Sequence, residues 1–227
     1  MQPILSIQGI SKNYGAIQAL NNVSFDVPQG CVFGILGPNG SGKTTMLSII
    51  LDILQARSGT YSWFGKPGSA ETRKQIGSLL ETPNFYHYLS AVDNLNITHA
   101  ISGRGDAADI DRVLEIVKLS ARKKSKFKTY SLGMKQRLAI GAALLGNPDV
   151  LVFDEPTNDL DIDTLNVLEE FLENFPGILI LVSHDRYLLD KMSDQLVIME
   201  WNGNVKIFNG NYSEHINSLE QEKEAAS

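Results

Sequence analysis

The chain has 227 residues, 43% of them hydrophobic, with a formal net charge of -6 and a single cysteine. That length and composition suit one large or two small globular domains around an ordinary buried core. The acidic balance argues against attachment to nucleic acid or anionic lipid through bulk charge. A lone thiol cannot form an internal disulfide, which fits a reducing compartment.

No basic segment followed by an apolar stretch opens the sequence, so no signal peptide is visible. No window approaches the roughly 20 apolar residues of a spanning helix. Residues 4–10 and 23–27 alternate as half-buried strands do. Residues 31–37 form a continuous apolar run ending in glycine, the pattern of a strand buried on both faces, and Cys31 within it reads as a buried structural thiol. Residues 43–54 follow with helical spacing of Met46, Ile49, Ile50, Ile53 and Leu54. Short strands are predicted over 59–65 and 75–81, and helices dominate from about Asn84 to Gly146. Residues 149–156 are a second buried strand, stopped by Pro156. An amphipathic helix over 161–175 carries Leu165, Leu168, Phe171, Leu172 and Phe175. Residues 177–185 are a third buried strand, and 195–211 read as two strands around Asn202 and Gly203. The polar tail, 220–227, is expected to fray. Buried strands separated by helices imply an α/β fold with a mostly parallel sheet covered on both faces.

Between the first buried strand and its helix lies GPNGSGKTT, that is Gly37, Pro38, Asn39, Gly40, Ser41, Gly42, Lys43, Thr44 and Thr45. Gly37, Gly42, Lys43 and Thr44 satisfy G-x-x-x-x-G-K-[ST], the phosphate loop. Backbone N–H groups must converge on phosphate oxygens there, and side chains would obstruct them. The following helix points its positive end at the same anion. Lys43 then reaches the β- and γ-phosphates of a nucleotide and the Thr44 hydroxyl ligates Mg²⁺. In VLVFDEP, Asp154 and Glu155 stand at the carboxyl end of a buried strand, where open α/β sheets bind ligands. Asp154 suits the Mg²⁺ shell and Glu155 the general base for an attacking water.

Residues 130–138, YSLGMKQRL, complete a set with GPNGSGKTT, VLVFDEPTNDLD and LVSHD, and in this order the chain resembles an ATP-binding cassette (ABC) ATPase from about residue 4 to residue 212. The resemblance implies a single ABC ATPase domain over 1–227: a P-loop NTPase fold with a mostly parallel core sheet, an N-terminal antiparallel β subdomain and a helical subdomain at about 84–146. It implies that Tyr14 stacks on adenine and that Ser131 and Gly133 contact the γ-phosphate of ATP held by a partner copy. Asp161 would lie in the loop that couples the two sites, and His184 would be the switch histidine at the γ-phosphate. ATP and Mg²⁺ are the implied ligands. A head-to-tail homodimer on ATP binding, separate transmembrane permease subunits and a cytoplasmic place on the inner face of the membrane are the implied setting. Each residue also has a plain structural reading: Tyr14 as a turn aromatic, Ser131 and Asp161 as helix caps, His184 as a core histidine.

Two features depart from the common family pattern. The signature reads Tyr130, Ser131, Leu132, Gly133, Met134, without its first glycine and its glutamine. Glu81 stands where most members carry a glutamine that touches Mg²⁺, which adds a negative charge beside the metal. Glu81 and YSLGM together are similar to the bacitracin- and lantibiotic-type exporters. Phe85, Tyr86 and Tyr88 lie where the family receives its membrane subunit, or else pack the helical subdomain. The C-terminal third is similar to soluble F-type ABC proteins that act on ribosomes, although the chain has one phosphate loop and no room for their arm between Lys43 and Ser131. The basic run over 122–128 reads as a solvated linker, with RNA contact only under that alternative. A third alternative is a nucleotide-gated regulator with little turnover.

Overall fold

The computed structural model describes residues 2–80, 85–157, 162–201 and 203–225. In chain order the elements are β1 (Leu5–Tyr14), β2 (Ile17–Val27), β3 (Val32–Leu36), α1 (Lys43–Ile50), β4 (Ser58–Trp63), β5 (Lys66–Pro67), α2 (Ala70–Arg73) and β6 (Ile76–Leu79). Then come α3 (Ala91–Ser102), α4 (Ala107–Ile116), two 3₁₀ turns (Ser120–Arg122 and Phe127–Thr129), α5 (Leu132–Ala143), β7 (Val150–Asp154) and α6 (Ile162–Glu173). The chain closes with β8 (Ile178–Val182), α7 (Arg186–Met192), β9 (Gln195–Met199), β10 (Val205–Asn209) and α8 (Tyr212–Ala225). These gather into two compact units, one of Met1–Thr72 with Ile178–Ser227 and the other of Arg73–Gly177.

In the first unit, β2, β1, β4 and β5 form an antiparallel sheet in that order. Beside it, β3 pairs in parallel with both β8 and β9, and β10 runs antiparallel to β9. All five residues of β8 are buried, as are Phe33, Gly34 and Ile35 of β3, which is why these strands read as unbroken apolar runs. Gly34 is required by packing: a Cβ there would lie 2.6 Å from the side chains of Leu196 and Ser193. Trp63 of β4 is fully buried and its Nε1 donates to the carbonyl of Ile50 at 2.7 Å, which ties the end of α1 to the antiparallel sheet.

In the second unit, β6 pairs in parallel with β7, all five of whose residues are buried. Helices α3, α4 and α5 pack together through Leu95, Ile110, Val113, Leu114 and Leu138. Each begins with a side-chain cap: Ser90 with Asp93 for α3, Asp106 for α4, Ser131 for α5. Arg104 donates to the carbonyls of Ala142 and Ala143 at the end of α5 and to that of Ile76 in β6, at 3.2, 3.3 and 3.0 Å.

Three departures from the sequence pattern have a local cause. The helix predicted to reach Leu54 ends at Ile50, because Asp52 takes a left-handed backbone (φ 63°) and the amides of Ile53 and Leu54 both turn back to the carbonyl of Ser48. The expected helical stretch from Asn84 begins only at Ala91, where Ser90 and Asp93 form a capping box; residues 85–90 are not helical, and Ser90 bridges to Lys126. The tail expected to fray is helical to Ala225. There Asn211 and Glu214 cap each other's amides at 3.0 Å, Ser213 N–H donates to Asp190 at 2.7 Å, and Arg186 of α7 lies over the Tyr212 ring.

Candidate functional site

The phosphate loop is built by β3, which delivers Leu36 to the carboxyl end of its sheet, and by α1, which starts at Lys43. Gly42 caps α1 in a left-handed conformation (φ 96°), and a Cβ there would meet the Ala19 carbonyl at 2.3 Å. A Cβ on Gly37 would sit 2.6 Å from both the Ser41 hydroxyl and the Met199 carbonyl. Gly37 and Gly42 therefore have no space for a side chain. Lys43 is buried, and its Nζ donates to the carbonyls of Gly37 at 2.8 Å and Pro38 at 3.2 Å, while Ser41 N–H donates to the Pro38 carbonyl at 3.1 Å. The Ser41 hydroxyl is buried without a hydrogen-bond partner among the described residues. Thr44 is exposed in the first turn of α1 and Thr45 is half-buried behind it.

His184 follows β8, just before α7, which Asp185 caps. Its Nε2 lies 3.0 Å from Oδ1 of Asn39 at the tip of the loop. Tyr14 ends β1 with its ring 48% exposed and Lys12 Nζ 5.7 Å from the ring centroid.

In the second unit, Asp154 ends β7, buried, and Glu155 follows with φ 48°. A glutamate held in the left-handed region is uncommon, and such strain concentrates where a side chain must be aimed. Ser131 caps α5, accepting from Met134 N–H at 3.2 Å, and Gly133 is buried in its first turn. Gln136 of α5 donates to the Pro156 carbonyl at 3.4 Å, linking that helix to the segment after Glu155. Tyr130 opens the signature, its hydroxyl donating to the Arg122 carbonyl at 2.8 Å, and burial pushes the phenol pKa up. Phe85 packs edge-on against the buried Phe127, whereas Tyr86 and Tyr88 pair with each other and stay exposed. The basic run folds around Phe127, and Lys123 pairs with Asp111 at 2.7 Å.

Lys43, Asn39 and His184 are thus brought to one loop, and Ser131, Gly133, Asp154 and Glu155 stand in the other unit. Glu81 and Asp161 lie outside the described residues. Two placements escaped the sequence pattern: Asn39 as the partner of His184, and Trp201, whose ring edge would lie 3.5 Å from a Cβ on Gly40. Both are long-range. Only the parallel pairing of β3 with β8 and β9 creates them.

A buried strand, a loop with no room for a side chain at Gly37 and Gly42, an inward lysine and a helix N-terminus together define a phosphate-loop nucleotide-binding protein. The ABC transporter family profile matches residues 20–158, and the chain belongs to this family, whose ATP-binding members are ATPases. The chain is 34% identical over 206 residues to the bacitracin transport ATP-binding protein BcrA of Enterococcus faecalis, covering 88% of this chain and 67% of that one. It is 37% identical over 182 residues to the lantibiotic transport ATP-binding protein SrtF of Streptococcus pyogenes, covering 79% of each. A solved dimeric ATP-binding cassette bound to ADP and phosphate superposes with a TM-score of 0.78 at 25% identity, covering 90% of this chain and 98% of that one. Among the described residues, no helix is long and apolar enough to cross a membrane.

Proposed function

We propose that this chain is the ATP-hydrolysing subunit of an ABC exporter. Two copies close head to tail over two ATP molecules, beneath separate transmembrane subunits on the inner face of the cell membrane. The observation that carries this reading is the phosphate loop itself, which holds Lys43 and meets His184 through Asn39. Kinship with proteins named for bacitracin and lantibiotic transport supports a role in transport.

The loop fits a polyphosphate: Gly37 and Gly42 bring the backbone close with no room for a side chain, and the buried Ser41 hydroxyl awaits a partner. Lys43 exchanges the carbonyls of Gly37 and Pro38 for phosphate oxygens when nucleotide binds. Tyr14 stacks on the adenine. Thr44 and Asp154, with Glu81, are oxygen ligands suited to Mg²⁺, which when bound neutralises charge on the β- and γ-phosphate oxygens. Glu155 orients a water and takes its proton as the water oxygen bonds to the γ-phosphorus in line. The bond to the β–γ bridging oxygen breaks, giving ADP and phosphate. His184 and Lys43 stabilise the charge that develops. Ser131 and Gly133 contact the γ-phosphate held by the other copy, and Asp161 couples the two sites.

The test is co-expression with the neighbouring membrane-protein gene, detergent extraction and assay of Mg²⁺-dependent ATP turnover. A polytopic membrane protein should co-purify. Glu155→Gln should keep ATP binding and lose at least ~10²-fold in turnover. Capture of ribosomes in place of a membrane protein would favour the soluble alternative, and normal turnover by Glu155→Gln would remove the base.

A further inference from the structure

Trp201 is 72% exposed, although an indole is among the side chains that gain most from burial. Its position is not incidental. β9 runs parallel to β3 with Ile198 opposite Leu36, so the chain leaves β9 at the same end of the sheet at which β3 enters the phosphate loop. The indole Cζ3 lies 3.5 Å from where a Cβ on Gly40 would be. The ring edge therefore flanks the loop's outer lip, next to Asn39 and Gly40, which are themselves exposed.

The described residues on either side of Trp201 are hydrogen-bonded. Glu200 N–H donates to the Asn204 carbonyl at 2.9 Å and Gly203 N–H to the Glu200 carbonyl at 3.0 Å. Asn21 N–H of β2 donates to the Gly203 carbonyl at 3.1 Å, and Lys206 pairs with Glu200 at 2.7 Å. A large apolar ring thus stands beside the loop between hydrogen-bonded neighbours, with most of its surface in water. The other tryptophan, Trp63, is fully buried with its N–H satisfied, and shows what the fold does with an indole that only packs.

We propose that Trp201 is an anchor of the interface between two copies of this chain, covered when nucleotide closes the pair; the inference rests on the two-copy reading above. The lip of the phosphate loop is the surface that a second copy must meet if it contributes to the same ATP, and Trp201 is continuous with that lip. Tryptophan at the centre of an interface carries binding energy out of proportion to its area, because it desolvates a large rigid ring at the expense of two torsions. In a two-fold pair the ring is buried twice, so its loss is felt twice.

The experiment uses the full chain with Glu155→Gln to hold ATP, in ATP and Mg²⁺. Sedimentation velocity and iodide quenching of tryptophan fluorescence are followed over a range of protein concentrations. Trp63 is out of reach of iodide, so the quenchable emission is that of Trp201. Expected results are a several-fold fall in quenching and a blue shift that track the dimer fraction. Adding Trp201→Ala should raise the dimer dissociation constant by about 100-fold, roughly tenfold per ring. An exposed position predicts a melting temperature close to the parent's. A dimer with Trp201 still fully quenchable, or a dimer unmoved by Trp201→Ala, overturns the anchor and leaves the two-copy reading standing. Shielding of Trp201 by ATP while the protein sediments as a monomer also overturns it, because the ring then folds onto its own subunit. No dimer at any concentration removes both.

Discussion

Nε2 of His184 and Oδ1 of Asn39 lie 3.0 Å apart although 145 positions separate the two residues. The contact joins the residue after β8 to the tip of the phosphate loop. The phosphate loop thereby holds the imidazole ring in one direction. A third group that orients a catalytic one recurs wherever a side chain must stabilise charge at a fixed point.

His184→Ala should therefore lower ATP turnover by about 10²-fold, the range for loss of one donor to developing charge. Asn39→Ala should cost less, about 3–10-fold, because the ring keeps its chemistry and loses only its guide. Single-turnover release of phosphate measures both. A variant at Asn39 that turns over like the parent would reduce the pair to a resting contact.

Two glycines of the loop separate steric from conformational demand. Gly42 has φ 96° and faces the Ala19 carbonyl at 2.3 Å, while Gly40 has φ 84° and faces only the Trp201 ring at 3.5 Å. Gly42→Ala must move backbone, so ATP affinity should fall more than about 10-fold, with a fold destabilised by about 2–3 kcal/mol. Gly40→Ala carries only the left-handed penalty, about 1–2 kcal/mol. Calorimetric ATP binding and thermal melting compare them; equal losses would show that the Ala19 contact does not shape the loop.

What could be read ahead of the structure follows from how local each signal is. The loop, its strand and its helix are contiguous in sequence, so glycine spacing and apolar runs sufficed for Gly37 to Thr45. The caps at Asp185 and Asn211 were equally local, yet α7 and α8 were missed. Weak apolar spacing hid them, although Asn211 with Glu214 is a start signal. The early end of α1 turns on the left-handed Asp52, which apolar periodicity does not register. Trp201 beside Gly40, and His184 beside Asn39, depend on which strand lies next to β3. Pattern alone leaves that choice open, because β8 and β9 are both apolar enough to take either place.

In the second unit, Arg104 spans β6 and the end of α5 with three carbonyl bonds. Burial pushes its guanidinium pKa down, and the charge of Asp109 opposes that shift. Removing the fork takes a donor from the Ala143 carbonyl and leaves the Ala142 carbonyl only the long bond from Leu145 N–H at 3.4 Å. Arg104→Met should destabilise by about 2–4 kcal/mol in urea unfolding. Arg104→Lys should recover less than half, because one ammonium cannot reproduce the planar fork. A loss below about 0.5 kcal/mol for the methionine variant, the size of an ordinary surface change, would mean that water replaces the donors freely.

Cys31 gives the fold a pH dependence at the alkaline end. Its Sγ donates to the Pro28 carbonyl at 3.3 Å, and Asp194 stands close by, accepting from Val32 N–H at 2.7 Å. Burial first, and then the negative charge of Asp194, push the thiol from 9.0 up to about 11. The folded chain thus keeps its proton between those values while the unfolded chain has lost it, so the contribution is intact below about pH 9 and falls as pH rises toward 11. Two pKa units would correspond to about 2.7 kcal/mol. The thiol is only half-buried, so solvent reduces this to about 1 kcal/mol. Urea unfolding at pH 8.5 and 10.5 should show the parent losing about that much more stability than Cys31→Ala. Because the thiolate is the nucleophile, and a more basic thiolate is the better one, iodoacetamide at pH 8 should react about 10-fold more slowly than with a thiol of ordinary pKa. Alkylation at the ordinary rate, with equal pH slopes for parent and variant, would show that the fold does not hold this proton.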